Sequence, residues 1–239
     1  MEILTNSDVL WGKIRLADGR LFGATHLFWN DHDLPRLLPS FLIQAYCVMR
    51  SGLTLMTVAR DRALALPEDV VARDLAAYLQ VHIEEELGHD QWLFDDICSL
   101  GLEEKEVVRA QPCAAVVNLV GAQYFWMTHV HPVAVMGYLI LMEGYAPLTS
   151  QLEEIQARSK APATAFRCLK RHADDDPGHL ADLNKALDSM PLSVEQVQAV
   201  GMCAFAAIEG LAAMFEELAA SRTKIDPTEQ QEELRYARR

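Results

Sequence analysis

The stretch Leu79-Gln-Val-His82-Ile-Glu-Glu-Glu86-Leu-Gly-His89-Asp-Gln-Trp92 sits inside a long helical pattern that runs from Asp69 to Leu100. The acidic pair Glu68-Asp69 starts that pattern and Gly101 stops it. His82 and His89 are seven residues apart, about two helical turns, so both face the same way. Glu85 and Glu86 lie three and four residues from the two histidines and share that face. The same arrangement returns in His172-Ala-Asp-Asp-Asp-Pro-Gly-His179, where Asp176 lies four after His172 and three before His179, with Asp175 as its mirror choice.

Outward from these stretches the chain reads as helix throughout. Apolar residues fall at helical spacing over Pro39–Leu66, roughly Glu103–His129, Pro132 to about Ser159, and roughly Pro162–Met190. A last pattern starts at Ser193, with Gln196 three residues on as a capping box, and runs to about Ser221. No stretch shows the alternation of a strand. These patterns predict an all-α chain, a single helical bundle of about seven helices over residues 1–239, with its core at about 35–221. The tail after Ile225, residues 226–239, is charged and is expected to fray.

Composition excludes several classes of function. With 21 Lys and Arg against 34 Asp and Glu, the formal charge of −13 argues against a nucleic-acid binder, which needs clustered cations. The five cysteines are scattered without CxxC spacing, which fits a reducing cytosol. Met1 to Asp8 is mixed and polar, so no secretory signal is expected, and the chain reads as cytoplasmic. The apolar stretch Val133–Leu148 is shorter than a bilayer span and carries Glu143, so it reads as a buried helix and no membrane partner is expected. The apolar content, 51%, leaves room for a homodimer.

The two histidine stretches suggest metal chemistry. Two turns separate the backbones of each pair by roughly 10 Å, too far for one ion. That spacing suits two ions about 4 Å apart, one histidine reaching each and the carboxylate between able to bridge. Two such helices facing each other supply His82, His89, His172 and His179 with Glu86 (or Glu85) and Asp176. Glu143 stands alone in Leu139-Ile-Leu-Met-Glu143-Gly-Tyr145, where an unpaired charge is costly and a metal would neutralise it. Imidazole and carboxylate without thiolate favour iron or manganese over structural zinc, although zinc hydrolysis uses the same ligands. His26, His32, His129 and His131 lack acidic partners at helical spacing and read as structural or surface residues. Trp92, Phe94, Tyr124, Phe125 and Trp126 read as core, and the cysteines as small buried hydrophobes.

At these residues the sequence resembles the heme-oxygenase-like superfamily, which includes the TenA proteins, the PqqC-type oxidase and the heme-oxygenase-like diiron oxidases. Within it the chain looks most like the iron-containing redox enzymes, whose members resemble the chlamydial CADD protein. The match rests on Glu86-Leu-Gly-His89-Asp-Gln-Trp92, on Leu141-Met-Glu143-Gly, and on His172-x3-Asp176-x2-His179, and it spans roughly Pro35 to Leu218. The resemblance implies metal ligands at His89, Glu143, His172, Asp176 and His179, with a further carboxylate on the second long helix that Glu86 or Glu85 can supply. His82 stands where several relatives carry Glu. The first long helix, where diiron members have a carboxylate, offers only Gln44.

In activity the resemblance implies a non-heme oxidase or oxygenase, with one or two iron ions, or manganese, activating O2 on a small organic substrate in the bundle. Three alternatives come with it. A TenA-like thiamine-salvage hydrolase would use a cysteine and an acid, for which Cys203 and Glu209 share the last long helix. A PqqC-like oxidase would work without metal, and a TenA-like regulatory protein would only bind. Heme oxygenase itself is disfavoured, because its first-helix histidine has no counterpart: His26 and His32 precede the first long pattern.

Overall fold

The computed structural model describes residues 4–221. The expected fray over 226–239 lies outside those residues. Among the described residues there are only helices and connecting turns, eleven α-helices and two 3-10 turns. The chain is all-α and forms one bundle, as its patterns predict, and the larger number of helices has two sources.

The first is the N-terminus, where the sequence patterns predict no helix. Helices α1 (Asn6–Ala17) and α2 (Gly19–Trp29) are joined through Asp18 alone. Thr5 caps α1 in a reciprocal box with Asp8. Their buried residues Leu10, Ile14, Leu21, Ala24 and Phe28 belong to the main core.

The second source is breakage of the long patterns. Helix α3 (Leu34–Leu64) is unbroken, with Pro35 in its first turn and Pro39 a turn further in. The Asp69–Leu100 pattern, however, divides into α4 (Val70–Glu86) and α5 (His89–Cys98). Leu87 is extended and Gly88 has φ +89, a backbone that glycine adopts without steric penalty. The 103–129 pattern divides at Pro112 into α6 (Glu104–Arg109) and α7 (Ala114–His129). The next gives a 3-10 turn at Pro132–Ala134, then α8 (Val135–Gly144) and, beyond Pro147, α9 (Thr149–Ser159). A second 3-10 turn at Ala163–Phe166 precedes α10 (Arg167–Ser189), which tolerates Pro177 within it. Helix α11 (Val194–Ala220) carries the Ser193/Gln196 box.

Helix α11 runs through the centre, packed by α7, α2, α8 and α1. Helix α8 lies between α10 and α11, and α3 covers α4, α5 and α7. Gly137 permits the α8–α11 approach, since a Cβ there would lie 1.9 Å from the Val200 carbonyl oxygen. Leu34–Leu64 and Val194–Ala220 are long and apolar enough by length and composition to cross a membrane. Here their apolar faces meet other helices, as in the aromatic group Phe28, Trp29, Phe41 and Phe215. Four helix segments converge at one end: the last turn of α4, the first of α5, the last of α8 and the middle of α10.

Candidate metal centre

All seven candidate ligands meet at that convergence. Their ligand atoms form three overlapping groups, each with atoms within 4.8 Å of one another: Glu86, His89 and His172; His82, Glu86 and Glu143; Glu143, Asp176 and His179. Glu86 and Glu143 are each shared by two groups. The His82 and His179 rings stand edge to face at 5.5 Å, as do His89 and His172 at 5.0 Å. On α10 the two-turn spacing works within a single helix, sending His172 to one group and His179 to another. In the first stretch the two-turn picture needs correction. His82 and His89 lie on opposite sides of the break at Leu87-Gly88, and the break, not helical phase, aims His89 inward.

Each acidic run divides between interior and solvent, because successive residues on a helix point about 100° apart. Glu86 and Asp176 face in, while Glu84 and Asp174 face out. Glu85 is half exposed and lies 3.6 Å from Nδ1 of His82, outside the three groups. Gln44 is also outside: its side chain accepts from the Cys113 backbone N–H at 2.8 Å and so tethers the start of α7.

The short contacts within the cluster are poorly aligned as hydrogen bonds. His89 Nδ1 is 3.0 Å from Glu86, His179 Nδ1 is 3.4 Å from Glu86 and 3.6 Å from Glu143, and His82 Nε2 is 3.9 Å from Glu143. Among the described residues seven buried side-chain polar atoms have no hydrogen-bond partner. Six are in this cluster, on His82, Glu86, His89, Glu143, Asp176 and His179. Each such atom costs about 1–3 kcal/mol if nothing satisfies it. Divalent ions would satisfy all of them, so these residues fit a metal centre.

Charge behaves accordingly. Burial, reinforced by the Glu143 charge, pushes the Asp176 carboxyl far above the usual carboxylate range. The Glu143 carboxylate beside His179 raises its imidazole to about 9, against the effect of burial. Burial alone would raise Glu86, but His89, His172 and His82 outweigh it and hold Glu86 below its ordinary value. Without metal, these shifts favour the neutral carboxyl on Asp176 and the imidazolium on His179. Both must lose a proton before they can bind an ion. Loading with a divalent ion is expected to release protons and to tighten as pH rises towards about 9. Calorimetric titration in buffers of differing ionisation enthalpy checks this; an affinity flat with pH would speak against it.

Surrounding groups orient the ligands, as outer-shell partners do in metal sites. His172 Nδ1 lies 3.0 Å from the Cys168 carbonyl, so Nδ1–H donates there and Nε2 is left for an ion. The His89 ring stacks on Trp92 at 4.2 Å. Asp96, fully buried, accepts from Cys168 N–H at 2.7 Å and from Arg167 Nε at 2.9 Å, which ties the start of α10 to α5. The Cys168 thiol, 3.7 Å from His172 Nδ1, is pushed up to about 12, first by burial and then by Asp96. Sequence reasoning missed Asp96, since nothing at its spacing distinguishes it from neighbouring Asp95. It also read Trp92 and Phe125 as core, whereas both are exposed; Phe94, Tyr124 and Trp126 do pack on the core clusters.

The remaining histidines stand apart. His131 meets Asp69 at 3.2 Å, beneath the start of α4. Asp31, His32 and Asp33 form a group with ligand-like spacing on the turn before α3, with the His32 side chain exposed. Cys203 and Glu209 are not brought together: Cys203 packs with Ala134 and Ala199, while Glu209 pairs with Arg20. All five cysteines are free, with Cys98 and Cys113 only partly buried.

A cleft of about 500 Å³ opens over the cluster. His89 and His179 lie at its base, and Leu87, Trp92 and Arg171 are among its walls.

The fold has relatives of known structure. A protein of unknown function with a heme oxygenase-like fold from Shewanella denitrificans superposes with a TM-score of 0.76 at 17% identity, over 93% of this chain and 95% of that one. A TenA homologue from Pseudomonas syringae pv. tomato gives 0.66 at 13% identity, over 90% and 93%. A CADD-like protein of unknown function from Nostoc punctiforme gives 0.61 at 18%, over 83% and 86%. At such identities these likenesses establish the heme oxygenase-like fold alone. No curated protein matches the sequence. The sequence pattern of one family, described as iron-containing redox enzyme, matches residues 40–213. That span contains every residue of the buried histidine and carboxylate cluster, and the chain belongs to the family of iron-containing redox enzymes.

Proposed function

We propose that the chain is an iron-dependent oxidoreductase that uses O2 on a small organic substrate. The observation that carries this reading is the set of six buried, unpartnered ligand atoms at one point of the bundle. Two ions fit the grouping better than one. Glu86, His89 and His172 would hold the first, and Glu143, Asp176 and His179 the second, with His82 between them. Iron is the metal the family description supports, and manganese suits the same ligands. When bound, ferrous iron supplies electrons and open coordination positions for O2.

The protein's own residues have three tasks. Burial of His82, His89 and Asp176, each less than 10% exposed, keeps bulk water from most of the ligand atoms. The Cys168 carbonyl and the Trp92 ring fix the His172 and His89 imidazoles, which holds the ligand atoms in place before metal arrives. The cleft at His89 and His179 gives substrate a path to the centre. Protein loaded anaerobically with ferrous ion and then mixed with O2 is expected to oxidise its iron and consume O2 in proportion to iron bound. Oxidation no faster than that of ferrous ion in buffer alone would reject the proposal.

A further inference from the structure

Resting on the reading of the cluster as a metal centre, we infer that Asp96 is a positioning residue for one ion and not for the other, acting through Cys168. Asp96 lies on α5, seven residues or about two helical turns beyond His89. It is fully buried, and both its carboxylate oxygens are taken up by the start of α10. Oδ2 accepts from the Cys168 N–H at 2.7 Å, and Oδ1 accepts from Arg167 Nε at 2.9 Å. Cys168 in turn touches both histidines of one ligand group. Its carbonyl accepts from His172 Nδ1–H at 3.0 Å, and its thiol donates to the His89 backbone carbonyl at 3.8 Å. One buried carboxylate thus holds the residue that joins α5 to α10 beside two imidazoles whose rings stand 5.0 Å apart.

The two ligand groups need such a device unequally. Asp176 and His179 lie three residues apart within α10, so the helix itself sets them on one face. Glu143 ends α8, which packs along α10. Glu86 and His89, by contrast, are separated by extended Leu87 and by Gly88 at φ +89. Helical continuity therefore does not fix the direction of α5 relative to α4, and contacts with other segments must do so. The Asp96 carboxylate on the Cys168 N–H is such a contact, strong because it is charge-assisted and buried. Its removal leaves that N–H unpaired and frees the first turn of α10 to slip against α5.

Cobalt(II), which takes nitrogen and oxygen ligands and absorbs visible light, is the probe. The unmutated protein is expected to bind two equivalents, one per outer ligand group. In D96A one equivalent should weaken by about 10- to 100-fold, as for loss of an outer-shell partner, while the other keeps its affinity. Anomalous peaks at the cobalt edge should then persist among Glu143, Asp176 and His179 and fade among Glu86, His89 and His172. D96N, whose amide oxygen can still accept from the Cys168 N–H, should restore most of the loss. D96S keeps a polar group one bond short of that N–H, and it should repeat the D96A result even where D96A fails to fold. Circular dichroism on each variant separates these effects from unfolding. With two equivalents bound by the unmutated protein, four results would each overturn the inference and leave the metal reading standing: both equivalents weakened alike, neither weakened, the loss falling on the Glu143 group, or D96N as impaired as D96S. No cobalt bound by the unmutated protein would overturn the metal reading, and the inference with it.

Discussion

Replacing His179 with alanine is expected to leave the helical fold intact and to strip the protein of most of its metal. His179 faces Glu86 and Glu143 together, at 3.4 and 3.6 Å, so its imidazole belongs to one group and borders the carboxylate of another. Its side chain lines the cleft and is 19% exposed, so its removal enlarges the cleft and does not open a hole in the apolar core. Loss of an outer-shell partner alone costs 10- to 100-fold in metal affinity, and loss of a direct ligand should cost more than about 100-fold. Metal analysis after anaerobic reconstitution at micromolar iron, beside circular dichroism, separates the two effects. Metal retained at the level of the unmutated protein would remove His179 from the ligand set.

The second large effect is expected from Gly137→Ala, at the contact of α8 with α11. The new Cβ would sit 1.9 Å from the Val200 carbonyl oxygen, 2.9 Å from its carbon and 3.0 Å from the Ala204 nitrogen. All three are backbone atoms of α11 and cannot rotate away. Helix α8 must shift off the central helix, at a cost of about 3 kcal/mol. For a chain of this length that lowers Tm by roughly 6–12 °C. Because Glu143 ends the same helix, metal affinity should fall together with stability. Thermal melts with and without a divalent ion check both, and an unchanged Tm would contradict the packing described for α8.

The sequence made the helical class legible wherever a helix carries its own start signal. Ser193 with Gln196, and Asp69, which accepts from the Ala72 N–H, begin helices where the residues say they should. Glu143 was legible as a buried charge because the residues before it are apolar on every side. The break at Leu87-Gly88 was not. One glycine within a helical pattern is compatible with continuation, and only the backbone reveals φ +89. Helices α1 and α2 escaped for a different reason: they are short, and their stability comes from packing on α11 and not from a long periodic face. Among site residues, histidines at two-turn spacing with acids between were readable in advance. The capping of α10 by Asp96 and the cleft above His89 depend on contacts between distant segments, which no local spacing encodes.

The resemblance to diiron proteins leaves a gap in the sequence, since the first long helix offers only Gln44. In the structure that helix supplies none of the three ligand groups, and Gln44 serves the start of α7. Within α4, both His82 and Glu86 turn toward the cluster.

The most direct test of the central claim is anomalous diffraction at the iron edge from crystals grown anaerobically with ferrous ion. Two peaks are expected, one among Glu86, His89 and His172 and the other among Glu143, Asp176 and His179. Absence of any peak at these residues, in crystals whose protein is folded and exposed to excess iron, would contradict it.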